Sequence, residues 1–113
     1  MSATPIDPVR GRVYGAVIRE DLGEKYYLVV SNNRRNRALD DVLVVRLTTS
    51  PKPALPTIVD MVAADAPLVG RVLCDDIEAL YKDEITREIG ALSVGTMRRV
   101  DSGLAAALSL ALQ

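Results

Sequence analysis

The chain has 113 residues, which on the usual scale of roughly 100–150 residues per domain is one domain with one core. Hydrophobic residues make up 49% and charged residues 26%, a balance that suits a packed interior under a polar surface. Histidine, tryptophan and phenylalanine are all absent, which excludes imidazole catalysis, Cys–His pairs and most zinc sites.

Residues 1–9 carry two prolines and little pattern, so a loose N-terminal tail is expected there, ahead of a single domain over 10–113. Arg10 to Ile18 is rich in β-branched and aromatic residues and predicts a strand. Gly15 within it signals a bend, a bulge or a close backbone approach. A second strand is expected from Lys25 to Ser31, with Lys25, Tyr27 and Val29 on one face and Tyr26, Leu28 and Val30 on the other. Neither face is polar, which places this strand in the middle of a sheet or in a closed barrel. Asn32 to Asp41 is expected to be a turn-forming connection carrying Arg34, Arg35 and Arg37.

The third strand is expected over Val42 to Thr49, with Val44, Arg46 and Thr48 sharing one face. Three prolines between Pro51 and Pro56 predict a loop. A fourth strand over Thr57 to Ala63 and a fifth over Val69 to Cys74 follow, the fifth ending in a turn or cap at Asp75-Asp76. Cys74, the only cysteine, can form no internal disulfide and reads as a small buried hydrophobe. A helical turn over 77–83 and a short strand over Thr86 to Ala91 complete the β region.

From Ser93, a plausible N-cap, Val94, Met97, Val100, Leu104, Leu108 and Ala111 recur at helical spacing and predict an amphipathic C-terminal helix. The expected class is mostly β with that one helix: a five- to six-stranded, barrel-like sheet. No secretory signal pattern and no apolar run near the ~20 residues of a membrane span is present, so a cytoplasmic location is expected.

Net charge is −1, but its distribution is uneven: Lys25 to Lys52 holds six bases against two acids. That local excess suits an anionic ligand, and it equally suits a solvated loop. No phosphate loop, dinucleotide fingerprint or set of converging oxygens is present, so no metal and no cofactor is expected. The remaining chemistry rests on Lys25 and Thr48, at opposite ends of two neighbouring strands. A cation beside a hydroxyl can stabilise the extra negative charge of a pentacoordinate phosphorus. With RNA the substrate's own 2′-hydroxyl can be the nucleophile, so neither histidine nor metal is required. On these residues alone, a strand-edge lysine and an ordinary strand threonine remain the simpler account.

Four segments, in order, resemble the MazF/PemK family of toxin endoribonucleases. They are Arg10-Gly-Arg-Val-Tyr, Lys25-Tyr-Tyr-Leu-Val-Val-Ser-Asn-Asn, Val44-Val-Arg-Leu-Thr-Thr-Ser and Val72-Leu-Cys-Asp-Asp-Ile-Glu-Ala-Leu. The resemblance implies an SH3-like barrel that forms a homodimer and cleaves single-stranded RNA sequence-specifically without metal. It also implies a cognate antitoxin, expected to be acidic and partly disordered, which competes for the basic groove. The family's catalytic arginine matches Lys25 and its catalytic threonine matches Thr48. Lysine keeps the charge but loses the planar bidentate grip on phosphate, which leaves Arg19, Arg34 and Arg46 as alternative cations. RNA contacts are expected from Arg19, Arg34, Arg35, Arg37, Arg46, Thr49, Ser50 and Lys52, those in the loops on charge and position alone. Two rivals are a non-enzymatic gyrase poison of the CcdB kind and an SH3-like adaptor. The first lacks its tryptophan-containing tail here, and the second has only four tyrosines with which to build a groove.

Overall fold

The computed structural model describes residues 6–111. Among them, β1 (Arg12–Ala16), β2 (Lys25–Val29) and α1 (Asn33–Ala38) are followed by β3 (Asp41–Thr48) and β4 (Ile58–Asp60). Then come β5 (Arg71–Tyr81), β6 (Ile85–Ala91) and α2 (Val94–Leu108). All strand pairs are antiparallel, in the order β4-β5-β3-β2-β1-β6. The class is therefore mostly β with a C-terminal helix. Among the described residues no pairing joins the edge strands β4 and β6, so closure of the sheet into a barrel is not seen.

β2 and β3 lie in the middle of the sheet, and β2 is largely apolar on both faces, as the sequence suggests. One face holds Val13, Leu28, Val45, Leu47, Val72 and Cys74, closed over by Val100 of α2. The other holds Tyr14, Tyr27, Val29, Val42, Val44 and Leu80. Tyr14 is fully buried, and its hydroxyl accepts the Val9 N–H at 2.9 Å, so its polar end is satisfied. Residues 1–5 of the expected tail lie outside the described residues. Over 6–9 the chain lies on the fold, with Pro8 buried and Ile6 packed on the Tyr14 side.

Several boundaries differ from expectation. The Asn32–Asp41 connection contains a helix, not only a turn. Asn32 caps it by accepting the Arg35 N–H, and buried Asn36 donates to the Ser31 carbonyl at 2.9 Å. β4 is shorter than expected, because the Asp65 carboxylate accepts the Val62 N–H and turns the chain at Ala63–Asp65. β5 does not stop at Asp75-Asp76. Val45 pairs with Ile77 while the next residue, Arg46, pairs with Leu73. Residues 74–76 are thus accommodated in a bulge, and the strand continues to Tyr81 in place of the expected helical turn. The C-terminal helix forms as expected from Ser93, whose hydroxyl accepts the Thr96 N–H. Its apolar stripe is buried only in the middle: Val94 is 70% and Leu108 54% exposed. No helix among the described residues is long and apolar enough to cross a membrane.

Candidate active site

β2 and β3 run side by side with Tyr27 opposite Arg46, Leu28 opposite Val45 and Val29 opposite Val44. Continuing that register by two residues sets Lys25 against Thr48. The ladder itself stops at Tyr27 and Arg46, and a cleft of about 570 Å³ opens there. Lys25, Arg46, Thr48, Thr49 and Ser50 line its polar side, while Tyr26, Leu68, Val69 and Ile89 contribute apolar wall. Lys25 and Thr48, far apart in sequence, thus line one cleft at the open end of the β2–β3 pair.

Local bonding prepares two of these groups. The Thr48 hydroxyl accepts the Ser50 N–H at 3.1 Å, which orients its oxygen and leaves its proton to be donated. Gly70, at φ +108, packs on the Thr48 carbonyl so closely that a Cβ there would collide with it. The buried Nε of Arg46 has no hydrogen-bond partner among the described residues. A buried donor left without an acceptor carries a desolvation cost.

A smaller cleft of about 210 Å³ shares Lys25 and Arg46 with the first and adds Arg19, Tyr27, Asp76 and Glu78. Burial and the nearby Asp76 push the Glu78 carboxyl up, against an opposing pull from Arg46. The β5 bulge is what carries Asp76 to this edge. Arg19 also reaches Asp21 at 3.4 Å on the exposed surface.

The other expected contacts are scattered. Lys52 lines a separate depression with Asp60 and Arg71. Arg34, Arg35 and Arg37 ride on α1, at the far end of the β2–β3 pair. At about 3.3 Å per residue that is roughly 15–20 Å from Lys25. Arg35 is committed there, donating to the Asp41 carboxylate at 2.7 Å and to its carbonyl at 3.2 Å. Among the described residues no group of three or more His, Cys, Asp or Glu is placed to hold a metal ion.

Sequence reasoning missed Glu24. Glu24 lines the cleft, and its carboxylate is gripped by Arg87 Nη2 at 2.8 Å and the Thr86 hydroxyl at 2.5 Å. The only hint was Gly15, which lies between them on β1 with no side chain to keep them apart.

A lysine and a threonine thus line one cleft, together with an arginine whose buried Nε has no partner among the described residues. The model of the PemK-like, MazF-like toxins of type II toxin–antitoxin systems matches residues 10–108. The chain belongs to that family. It is 47% identical over 105 residues to endoribonuclease MazF1 of Mycobacterium bovis, covering 91% of this chain and 94% of that one. A mycobacterial endoribonuclease solved with its cognate antitoxin superposes at a TM-score of 0.86. It is 43% identical, with 94% of this chain and 99% of that one covered. A mycobacterial endoribonuclease structure gives a TM-score of 0.87 at 40% identity, covering 98% and 100% of the two chains. These likenesses span the whole PemK/MazF domain, including both strands that carry the cleft.

Proposed function

We propose that this MazF/PemK toxin cleaves single-stranded RNA in the cleft between Lys25 and Thr48. As a member of its family it is a toxin endoribonuclease, neutralised by a cognate antitoxin. The observation that carries the site assignment is the β2–β3 register, which brings a cation and a hydroxyl of the right chemistry to one cleft edge. In the reaction, the substrate 2′-oxygen attacks phosphorus. The 2′-hydroxyl proton passes to solvent water as the new bond forms. The bond from phosphorus to the 5′-oxygen breaks, and that oxygen takes a proton from water, leaving a 2′,3′-cyclic phosphate and a 5′-hydroxyl. Lys25 stabilises the charge that builds on the phosphoryl oxygens. Thr48 donates its hydroxyl proton to one of them as a hydrogen bond, and Arg46, which lines the same cleft, adds a second positive charge. No metal is required for any of these roles.

Thr49 and Ser50 extend RNA contact along the cleft, with Arg19 and Lys52 on its flanks and the α1 arginines as outlying backbone contacts. Residues 10–113 constitute the single toxin domain, which we describe as an opened form of the SH3-like barrel. The cations at the cleft favour an acidic, partly disordered antitoxin segment as the inhibitor. Val69, 69% exposed on the cleft wall, is apolar surface suited to a second copy of the chain, and we read the working unit as a cytoplasmic homodimer.

The test is cleavage of a mixed RNA pool by purified protein in the presence of chelator, with the new ends sequenced. The expected result is discrete cuts bearing 5′-hydroxyl ends, slowed at least a hundredfold by Lys25→Ala and by Thr48→Ala. Full activity in both variants would move the site elsewhere in the molecule. Intact RNA with blocked DNA supercoiling would favour the gyrase-poison reading instead.

A further inference from the structure

A carboxylate beside a phosphate site is a liability, and one residue lining this cleft carries one. Glu24 immediately precedes Lys25 and lines the same cleft. A free carboxylate there would repel the incoming phosphodiester and compete with it for the cationic groups. The fold deals with Glu24 from a distance. Arg87 on β6 donates from Nη2 to Oε1 at 2.8 Å and from Nε to Oε2 at 3.3 Å, and the Thr86 hydroxyl donates to Oε2.

β1 lies between β2 and β6, so these side chains must reach across a whole strand to meet. They do so at Gly15, which pairs with Tyr26 on one side and with Arg87 on the other. A Cβ at that position would lie 2.6 Å from Glu24 Oε2 and 3.0 Å from Thr86 Oγ1. The missing side chain is therefore the seat of the bridge. Lys25, by contrast, has no ion pair among the described residues.

We propose that Arg87 is a positioning residue that holds the Glu24 carboxylate in the gap over Gly15, leaving Lys25 and Arg46 free to take phosphate. The bridge acts through charge. Arg87 and Thr86 hold the Glu24 carboxyl below its ordinary range, so Glu24 stays ionised at neutral pH and needs a cationic partner to be neutralised. Arg87 itself is absent from the cleft wall, which separates its role from direct contact with the reacting phosphate.

The inference rests on Lys25 being the phosphate cation, and the experiment keeps the two apart. Steady-state cleavage of a defined single-stranded RNA is compared for wild type, Lys25→Ala, Arg87→Ala and Arg87→Ala combined with Glu24→Gln. The expected result is a loss of at least tenfold in kcat/KM for Arg87→Ala, carried mainly by KM. The double variant, in which residue 24 has no charge, recovers most of that loss. Restoration by removing a second side chain is something a merely structural role for Arg87 does not produce. Arg87→Lys, which keeps a cation in place, retains most of the activity and serves as a control against misfolding of the alanine variant. Wild-type kinetics in Arg87→Ala, or a double variant as impaired as the single one, overturns the proposal. Undiminished cleavage by Lys25→Ala overturns the underlying reading of the site, whatever Arg87 does.

Discussion

The Sγ of Cys74 on β5 occupies the space that a side chain on Gly103 of α2 would need. A Cβ on Gly103 would lie 2.7 Å from that sulfur and 3.2 Å from the Cys74 Cβ. Helix and sheet are in contact at this point because one residue has no side chain and its neighbour has a compact one. Cys74 is fully buried, and burial pushes its thiol up to about 11, so it packs as a hydrophobe and not as a nucleophile.

Gly103→Ala should therefore destabilise the fold, even though alanine is the better helix former. The clash forces helix and strand apart, at about 1–3 kcal/mol for an overpacked core. The intrinsic gain of ~1 kcal/mol from replacing glycine does not offset it. Urea unfolding measures the difference. Pairing the change with Cys74→Ala should return part of the loss, because the sulfur is what the new methyl group meets.

Gly95 sits in the same helix and should behave in the opposite way. Nothing lies within 4 Å of a Cβ built there, and its φ is not in the left-handed region. Gly95→Ala should stabilise by about 0.5–1 kcal/mol, mostly by restricting the unfolded chain. A rise in the urea midpoint at unchanged slope is the expected signature. A fall would show that the first turn of α2 depends on glycine for a reason beyond space.

These two glycines also mark how far sequence reading reaches. The helix was legible because Ser93 and the apolar spacing of Met97, Val100 and Leu104 are local signals. That Gly103 is needed and Gly95 is not depends on where β5 passes, which no local window contains. α1 was missed for a related reason. Six residues are too few to show a period, and the segment is held by Asn36, buried against Ser31. The Asp75-Asp76 pair resembles a chain reversal, yet β3 offers a long partner and a bulge absorbs the pair. In the site, Lys25 and Thr48 were legible through motifs on adjacent strands. Glu24 and Arg87 lie 63 residues apart, and only the unexplained Gly15 pointed toward their bridge.

The match of Lys25 to the family's catalytic arginine, which the sequence resemblance implies, bears on the proposed mechanism. If charge is what the site requires, Lys25→Arg should keep cleavage within about tenfold of wild type, while Lys25→Ala loses the order of 10²–10³ typical of removing a transition-state donor. Thr48→Ser should retain activity and Thr48→Val should not, because the proposed role of Thr48 uses the hydroxyl and not the methyl group. Initial rates on a short fluorogenic RNA separate these cases. Serine and valine variants of equal activity would remove Thr48 from the chemistry.

Asp65 should set the acid limit of the fold. It is 1% exposed and accepts three hydrogen bonds, from Val62 N at 2.9 Å, Ser93 N at 2.8 Å and the Thr96 hydroxyl at 2.6 Å. It thereby ties the segment before Pro67 and Leu68, part of the cleft wall, to the start of α2. Burial alone would raise its carboxyl, but the bonds from Ser93, Thr96 and Val62 outweigh that and bring it below the ordinary value of 3.8. A carboxyl depressed by folding binds its proton more weakly in the folded chain than in the unfolded one. Its stabilisation is therefore present above the ordinary value and is lost as pH falls through the depressed one. Asp65→Asn keeps the shape but removes the charge and offers only one accepting oxygen, so it should cost about 1–3 kcal/mol at pH 7. As wild type loses its own advantage on acidification, the gap between the two should narrow below pH ~4. Urea unfolding of both proteins from pH 7 down to pH 3 tests this, and a gap that stays constant across that range would remove the ionised Asp65 carboxylate as the source of the stability.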